Sequence, residues 1–270
     1  DDLSPLEGHY VPKEIAPLVG SFNDLLTRLK DSISTQKRFL ADAAHQLKTP
    51  LAGLRMQADL AQREGSDTQE LKKSLQLIGR ASIRATHTVN QLLSLARAES
   101  GHTSIARAPC NMVELAQSVI QDSLPLAMEK HIDLGYEGVS ADSRGVRVLG
   151  NATLLKELIR NLVDNAMNYT PSCAESPGVI TVRVLSDTAG KVVALQVEDS
   201  GPGIPTTERE QIFQPFYRAL GTEVDGSGLG LAIVMEVAQL HDATINVQEA
   251  APGKPNPGAS FTVRFQHTLA

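Results

Sequence analysis

A chain of 270 residues with 41% hydrophobic content is long for one compact domain and suits two, each with its own core. A net charge of −6 and the absence of a dense Lys/Arg cluster argue against a nucleic-acid-binding surface. Cys110 and Cys173 stand far apart and outside any Cys-x-x-Cys motif, which suits a reducing cytosol, and no run reaches the roughly 18 apolar residues needed to span a bilayer.

The first third reads as helix. Val19, Leu26, Ile33, Leu40, Leu47, Leu54 and Ala61 repeat every seven residues, and Ile15, Phe22, Leu29 and Ala43 form the second stripe of the same heptads. A repeat this long marks a coiled coil or helix bundle. Gly65-Ser66-Asp67 then breaks the helix, with Ser66 or Asp67 as the N-cap of a second one. That second helix carries Leu71, Ile78, Ala85 and Leu92 on one stripe and Leu75, Ser82, Val89 and Ala96 on the other. One hairpin cannot bury both apolar faces, whereas two pairing as a four-helix bundle can, so a homodimer is expected. A linker near 100–109 leads into mixed structure, with helices at 111–121, 152–169 and 229–240. Strands are expected at 181–185, 192–197, 244–248 and 261–265. Without a regular βαβ rhythm, this half is an α+β sandwich with helices on one face of a mixed sheet. The tract Ala251-Pro-Gly-Lys-Pro-Asn-Pro-Gly258 reads as a solvated hairpin loop that needs no function.

Four motifs carry chemistry. In the first, His45-Gln-Leu-Lys-Thr-Pro50, His45 falls at heptad position f, the furthest from the seam, because Leu47 is at a. Pro50 cannot donate to the carbonyl of Gln46, so the helix is expected to bend beside His45 and give the imidazole room. With an unperturbed pKa near ~6.5, that ring is mostly neutral at cellular pH and keeps a lone pair for attack. The second motif, Asn161-Leu-Val-Asp-Asn165, sets two amides one turn apart on one helix face, and amide oxygens suit Mg²⁺. In the third, Asp199-Ser-Gly-Pro-Gly203, a carboxylate at a strand end can accept from the exocyclic amine of adenine, while Gly201 and Gly203 keep the backbone bare. The fourth, Gly226-Ser-Gly-Leu-Gly230, opens a helix, and Gly226, Gly228 and Gly230 leave backbone amides available for phosphate. No Lys-Ser/Thr follows, so this is not a P-loop.

These motifs, in this order, resemble those of the sensor histidine kinases of bacterial two-component systems, from about residue 3 to about residue 266. The resemblance implies an α+β protein: a helical-hairpin dimerisation domain, forming a four-helix bundle in the dimer, and an α/β-sandwich ATP-binding domain of the histidine kinase/gyrase/Hsp90 type. The implied domains are the end of a HAMP-like signalling linker at 1–31, a dimerisation and phosphotransfer domain at 32–100 and a catalytic domain at 106–268. His45 would be the phosphoacceptor. Gln46 stands where relatives have an acid, and an amide is a very poor base, which puts the rate of autophosphorylation in question. Thr49 falls where the family positions water for dephosphorylating its partner. Asn161, Asn165, Tyr169 and Thr170 match the N box, with Asn165 the direct metal ligand and the Tyr169 ring near the adenine. Asn168 departs from a frequent Lys, which implies weaker nucleotide affinity. Ile212-Phe-Gln-Pro-Phe-Tyr-Arg218 resembles the F box. Residues 206–226 would then form an ATP lid hinged at Phe213 and Phe216, with Arg218 reaching the γ-phosphate.

The implied reaction is autophosphorylation of His45 from ATP with Mg²⁺, then transfer to an aspartate of a response regulator. The expected partners are a second copy and that regulator's receiver domain. The expected setting is the cytoplasmic portion of a bacterial inner-membrane protein. Gyrase-, MutL- and Hsp90-type ATPases share this kind of site but carry Glu at the place of Asn161, where an amide cannot deprotonate water. The alternative that stays open is a phosphatase-biased dimeric switch, which Gln46 favours.

Overall fold

The computed structural model describes residues 16–61, 71, 75, 77–79, 81–82, 85, 89, 106–143, 145–187, 192–218 and 227–266. The chain divides into two compact units, Asp1–Thr88 and Val89–Ala270.

In the first unit, helix α1 (Ala16–Ala61) runs 46 residues, about 69 Å at the usual rise, and continues through Pro50. The described positions between 71 and 89 are helical too. Small residues are enclosed, with Ala43 and Ala81 buried, while Leu18, Phe22, Leu25, Leu29, Leu51, Met56, Leu60, Leu71 and Leu75 stay exposed. The turn at 65–67, Ile15, Leu92 and Ala96 lie outside the described residues.

The second unit comprises β1 (Ala108–Asn111), α2 (Met112–Glu129), β2 (Ile132–Gly138), β3 (Arg147–Gly150), α3 (Ala152–Tyr169), β4 (Gly178–Ser186) and β5 (Val192–Asp199). A short 3-10 turn (Gln211–Phe213), α4 (Gly230–Leu240), β6 (Thr244–Glu249) and β7 (Ala259–Gln266) follow. Among the described residues, five strands form one sheet in the order β2-β4-β5-β7-β6, and β1 pairs with β3 in a separate ribbon. Only β2 and β4 run parallel in that sheet. Strand β5 alternates strictly, burying Val193, Leu195, Val197 and Asp199 and leaving Gln196 and Glu198 partly open. That period of two is the mark of a sheet with one covered and one wet face. The covered face meets Leu155, Leu158, Ile159, Leu162 and Val163 of α3 and Ile233, Val234 and Val237 of α4 in a single core. On the open face Arg183 pairs with Glu137 and Glu198. The architecture is the expected α/β sandwich.

Five elements differ from the sequence expectation. Helix α2 continues past 121 to Glu129 with Pro125 inside it, because Gln121 and Pro125 both face solvent and water can take the carbonyl that Pro125 cannot bond. Strands β1, β2 and β3 were not expected, since β1 contains Pro109, β3 has four residues, and Gly135 and Gly138 interrupt β2. Strand β4 starts at Gly178, three residues before the expected 181.

One buried histidine ties helix ends together. His241, just past α4, has Nδ1 2.7 Å from the Val237 carbonyl oxygen, and its Nε2 accepts from Asn151 N at 3.1 Å. Asn151 is itself the N-cap of α3. Burial holds the His241 pKa below its ordinary value, with the Val237 bond and Asp242 opposing and Arg107 reinforcing. Arg107 donates to Leu240 O and pairs with Asp242 at 3.2 Å.

Candidate functional site

The site grows from the end of β5. Asp199 closes that strand and is 8% exposed. Its Oδ1 accepts from Gly201 N at 2.8 Å and from Ala259 N at 3.2 Å. Burial raises the carboxyl pKa, those two backbone bonds pull it back down, and Glu198 adds a smaller push upward. The oxygen not engaged by these bonds is left for a donor such as an exocyclic amine. Gly201 is required by crowding: a Cβ there would sit 2.8 Å from both Asp199 Oδ1 and the Tyr169 carbonyl oxygen. Gly203 has φ +78, and a Cβ on it would meet Pro257 and Gly258.

Those contacts correct the reading of the 251–258 tract. Its tip, from Pro252 to Asn256, is indeed exposed, but its base belongs to the site. Gly258 N donates to Gly201 O at 2.9 Å, and the next residue supplies the Ala259 amide that holds Asp199. Gly258 has φ +65, and a Cβ on it would collide with the Asp199 carbonyl oxygen. The sequence signal was the glycine immediately before an apolar strand.

Helix α3 supplies one wall. Asn161 is 2% exposed, and its Nδ2 donates to Glu157 O at 2.9 Å. Its Oδ1 points at the start of α4, where a Cβ on Gly230 would lie 3.1 Å away. Asn165, one turn on, is half-buried, and among the described residues no protein hydrogen bond holds its amide. An oxygen donor so placed suits Mg²⁺, which takes oxygen ligands and completes its shell with phosphates and water. Tyr169 is half-buried at the end of the same helix. Asn168 is exposed, but Lys130 Nζ donates to its Oδ1 at 3.0 Å and to Met167 O at 3.2 Å. A cation therefore stands beside position 168 after all, delivered from the end of α2, a contribution that motif reading missed.

The opposite wall is the N-terminus of α4. Helices α2 and α3 are closed by the side chains of Asn111 and Asn151, each accepting from two backbone amides. Helix α4 has Leu229 at its N-cap and no side-chain cap bond. The first amides of a helix lack intrahelical partners, and the axial dipole makes that end attractive to anions. Gly228 (φ +71) precedes it, and its carbonyl oxygen accepts from Phe216 N at 2.8 Å. Phe216 itself has φ +65, and a Cβ on Gly228 would come within 2.7 Å of its backbone. Phe213 and Phe216 are half-buried and Arg218 is exposed. Gly226 lies outside the described residues, as does all of 219–226.

In the second unit the structure thus brings Asp199, Gly201 and Tyr169 into contact, with Gly203 just beyond, and separately sets Asn161 against Gly230, with Gly228 just before it, about two turns away along α3. His45, Gln46 and Thr49 are in the first, within α1, where the backbone is helical and their side chains lie outside the description. No group of three or more His, Cys, Asp or Glu among the described residues could hold a metal.

Residues 35–101 match the His Kinase A (phospho-acceptor) domain, and residues 150–269 match the histidine kinase-, DNA gyrase B- and HSP90-like ATPase family. The chain is similar to the sensor protein QseC of Salmonella typhi, with 36% identity over 250 residues, 93% of this chain and 53% of that protein. It spans about half the length of the curated relatives it matches. The solved mycobacterial sensor histidine kinase MprB aligns with a TM-score of 0.51 and 27% identity, covering 59% of this chain and 97% of that one. The histidine kinase ThkA, solved in complex with the response regulator protein TrrA, aligns at 0.60 over 88% of this chain and 64% of that one. At 21% identity, that likeness is one of fold alone.

Proposed function

Because the chain belongs to the sensor histidine kinases of bacterial two-component systems, we propose that it phosphorylates its own His45 from ATP and passes the phosphoryl group to an aspartate of a response regulator. The observation that carries this reading is the uncapped start of α4, set against Asn161 of α3, the helix whose other end meets the Asp199 turn at Tyr169. An anion site, an amide wall and a buried carboxylate together fit a nucleoside triphosphate. Asp199 accepts from the adenine amine, Tyr169 flanks the base, and the amides at Gly228 and Gly230 hold phosphate. The resemblance makes 206–226 the lid, hinged at Phe213 and Phe216 and carrying Arg218 and Gly226, of which 219–226 lie outside the described residues. Asn165, with Asn161 behind it, would hold Mg²⁺, which when bound draws charge off the phosphates.

In the transfer, a lone pair of the His45 imidazole attacks the γ-phosphorus as the bond to the ADP oxygen breaks, and ADP leaves with that electron pair. The ring then sheds its proton. Gln46 can accept a hydrogen bond but cannot take that proton, so water receives it. Asn161 likewise cannot activate water for hydrolysis, which preserves ATP until a histidine reaches it. Residues 32–100 are the phosphotransfer unit and 106–268 the catalytic one, following the last part of a HAMP-like linker at 1–31. The exposed leucines of α1, with the exposed Leu71 and Leu75, are the surface on which a second copy completes a four-helix bundle. The expected setting is the cytoplasmic face of a bacterial inner membrane. Gln46 favours one second reading, a switch that mainly dephosphorylates the regulator with Thr49 placing the water.

Incubation with γ-labelled ATP and Mg²⁺ should give an acid-labile, base-stable phosphoprotein, and His45→Ala should abolish it. Labelling that persists in the variant removes His45 from the mechanism.

A further inference from the structure

We propose that His241 is a positioning residue for the phosphate end of the site: by strapping the far ends of α3 and α4 together, it sets the register in which the first amides of α4 meet Asn161. This rests on the nucleotide reading above and adds to it a residue that lies outside the site.

The two helices run antiparallel, with one contact at each end. At one end Asn161 faces the start of α4, its Oδ1 3.1 Å from the point a Cβ on Gly230 would occupy. At the other end His241, just past the last turn of α4, accepts from Asn151 N at 3.1 Å, and Asn151 is the N-cap of α3. Ten residues lead from Asn151 to Asn161 and eleven from Gly230 to His241, about 15 Å and about 17 Å at the usual helical rise. The two contacts therefore close a frame of nearly equal sides. Inside it, Leu155, Leu158, Ile159, Leu162, Ile233, Val234 and Val237 are buried. Apolar burial is non-directional, so it holds the helices together while the polar contacts at the ends set how far one slides along the other. The ring has little freedom to drift: a Cβ on Gly150 would lie 2.6 Å from its Cδ2 and 2.8 Å from its Nε2. Arg107 grips the same end of α4 through the Leu240 carbonyl oxygen.

One form of the ring makes both of its bonds. The Val237 carbonyl can only accept and the Asn151 N–H can only donate, so Nδ1 carries the hydrogen and Nε2 the lone pair. A second proton, on Nε2, would set N–H against N–H and open the strap. Among the charged groups acting on the ring, Arg107 opposes that proton and Asp242 favours it. Strand β3 meets the ring through Gly150, α3 through the Asn151 N–H and α4 through the Val237 carbonyl, none of them charged. Burial is the largest influence and holds the His241 pKa below its ordinary value. The strap is thus closed at neutral pH and opens as pH falls below about 6.5 toward the folded pKa. Nucleotide affinity should fall with it. Because such coupling is reciprocal, bound nucleotide should in turn make His241 harder to protonate.

Calorimetric titration of the whole chain with ADP at about pH 7.5 and about pH 5.5 tests the idea, with His241→Gln as the comparison. Gln keeps an acceptor for Asn151 N and takes up no proton. Acid also protonates the phosphates of ADP and acts on Asp199, but equally in both proteins, so the difference between them isolates His241. The parent should lose about three- to tenfold more affinity than the variant, as one net hydrogen bond predicts. In the parent, the His241 ring resonance, assigned through its backbone, should titrate at lower pH with ADP than without it. Equal losses in the two proteins, or a ring titration that ADP does not shift, would show that His241 serves the fold alone, and the nucleotide reading would stand. Should His241→Gln fail to fold, the ring titration of the parent decides by itself. If the parent binds no ADP at either pH, both readings fall together.

Discussion

Asp199→Asn separates two jobs of one carboxylate. Oδ1 accepts from Gly201 N and Ala259 N, and an amide oxygen can accept both bonds, so the turn should survive. The other oxygen becomes an NH₂ group, which sets a donor against the donor of the adenine amine. Losing a hydrogen bond to a charged acceptor costs about 1.5–3 kcal/mol, or about 10- to 150-fold in affinity. Stability should move the other way or hardly at all. Because burial raises the folded pKa of Asp199, the folded protein binds more protons than the unfolded chain between the ordinary carboxylate value and the raised one. Stability therefore falls as pH rises through that window, and at neutral pH the ionised group weakens the fold. Asn removes that burden, at the cost of weaker bonds from the two amides. Calorimetric titration with ATP and GTP, beside thermal unfolding at pH 7, should show ATP binding reduced by the stated factor, GTP binding not reduced, and the unfolding midpoint held. Unchanged ATP affinity, or a stability loss beyond about 2 kcal/mol, would show that the carboxylate serves the fold and not the base.

Two further outcomes are expected. Gln46→Glu supplies a base beside His45; general-base assistance is worth ~10²–10⁴-fold, and with water already able to take the proton the gain should sit near or below the low end, roughly tenfold or more. Single-turnover phosphorylation at saturating ATP measures it, with the dimer checked in parallel, and an unchanged rate points to domain docking as the slow step. His241 should make the fold acid-sensitive: its folded pKa lies below the ordinary value, so the unfolded chain takes up the proton first. Stability is then lost as pH falls from about 6.5 toward the folded pKa. Denaturant midpoints between pH 7 and 5 should fall for the parent and fall less for His241→Gln; equal slopes would refute the role.

Regular patterns were legible in the sequence and local irregularities were not. The heptads of α1, the strict alternation of β5 and the helix over Ala152–Tyr169 follow from periodicity alone, because burial of a single face imposes it. Strand β2 was invisible because two glycines and a parallel partner, β4, remove the alternation that marks a half-exposed strand. The site was readable where motif residues face one another, as Asn161 and Gly230 do across two helices. It was unreadable where contacts join distant segments: the Gly258 and Ala259 amides reach Gly201 and Asp199 from some sixty residues away, and Lys130 reaches Asn168 from another helix. Spacing along a chain carries no record of such pairings. The missing N-cap on α4 was half legible, since glycines announce bare amides, but only the Asn caps on α2 and α3 make the contrast plain.

An unbroken helix fixes azimuth as well as distance. Within α1 each residue turns the backbone by about 100°, so the bearing of the His45 Cα around the axis is locked to the stripe of Leu18, Phe22, Leu25 and Leu29. One residue inserted between them would swing His45 a little over a quarter-turn, whereas seven would return it to within about 20° of its starting bearing. The bearing of the His45 Cα is therefore encoded upstream, in the phase of leucines several turns away, and a change of phase there would turn that backbone position without altering any residue near it.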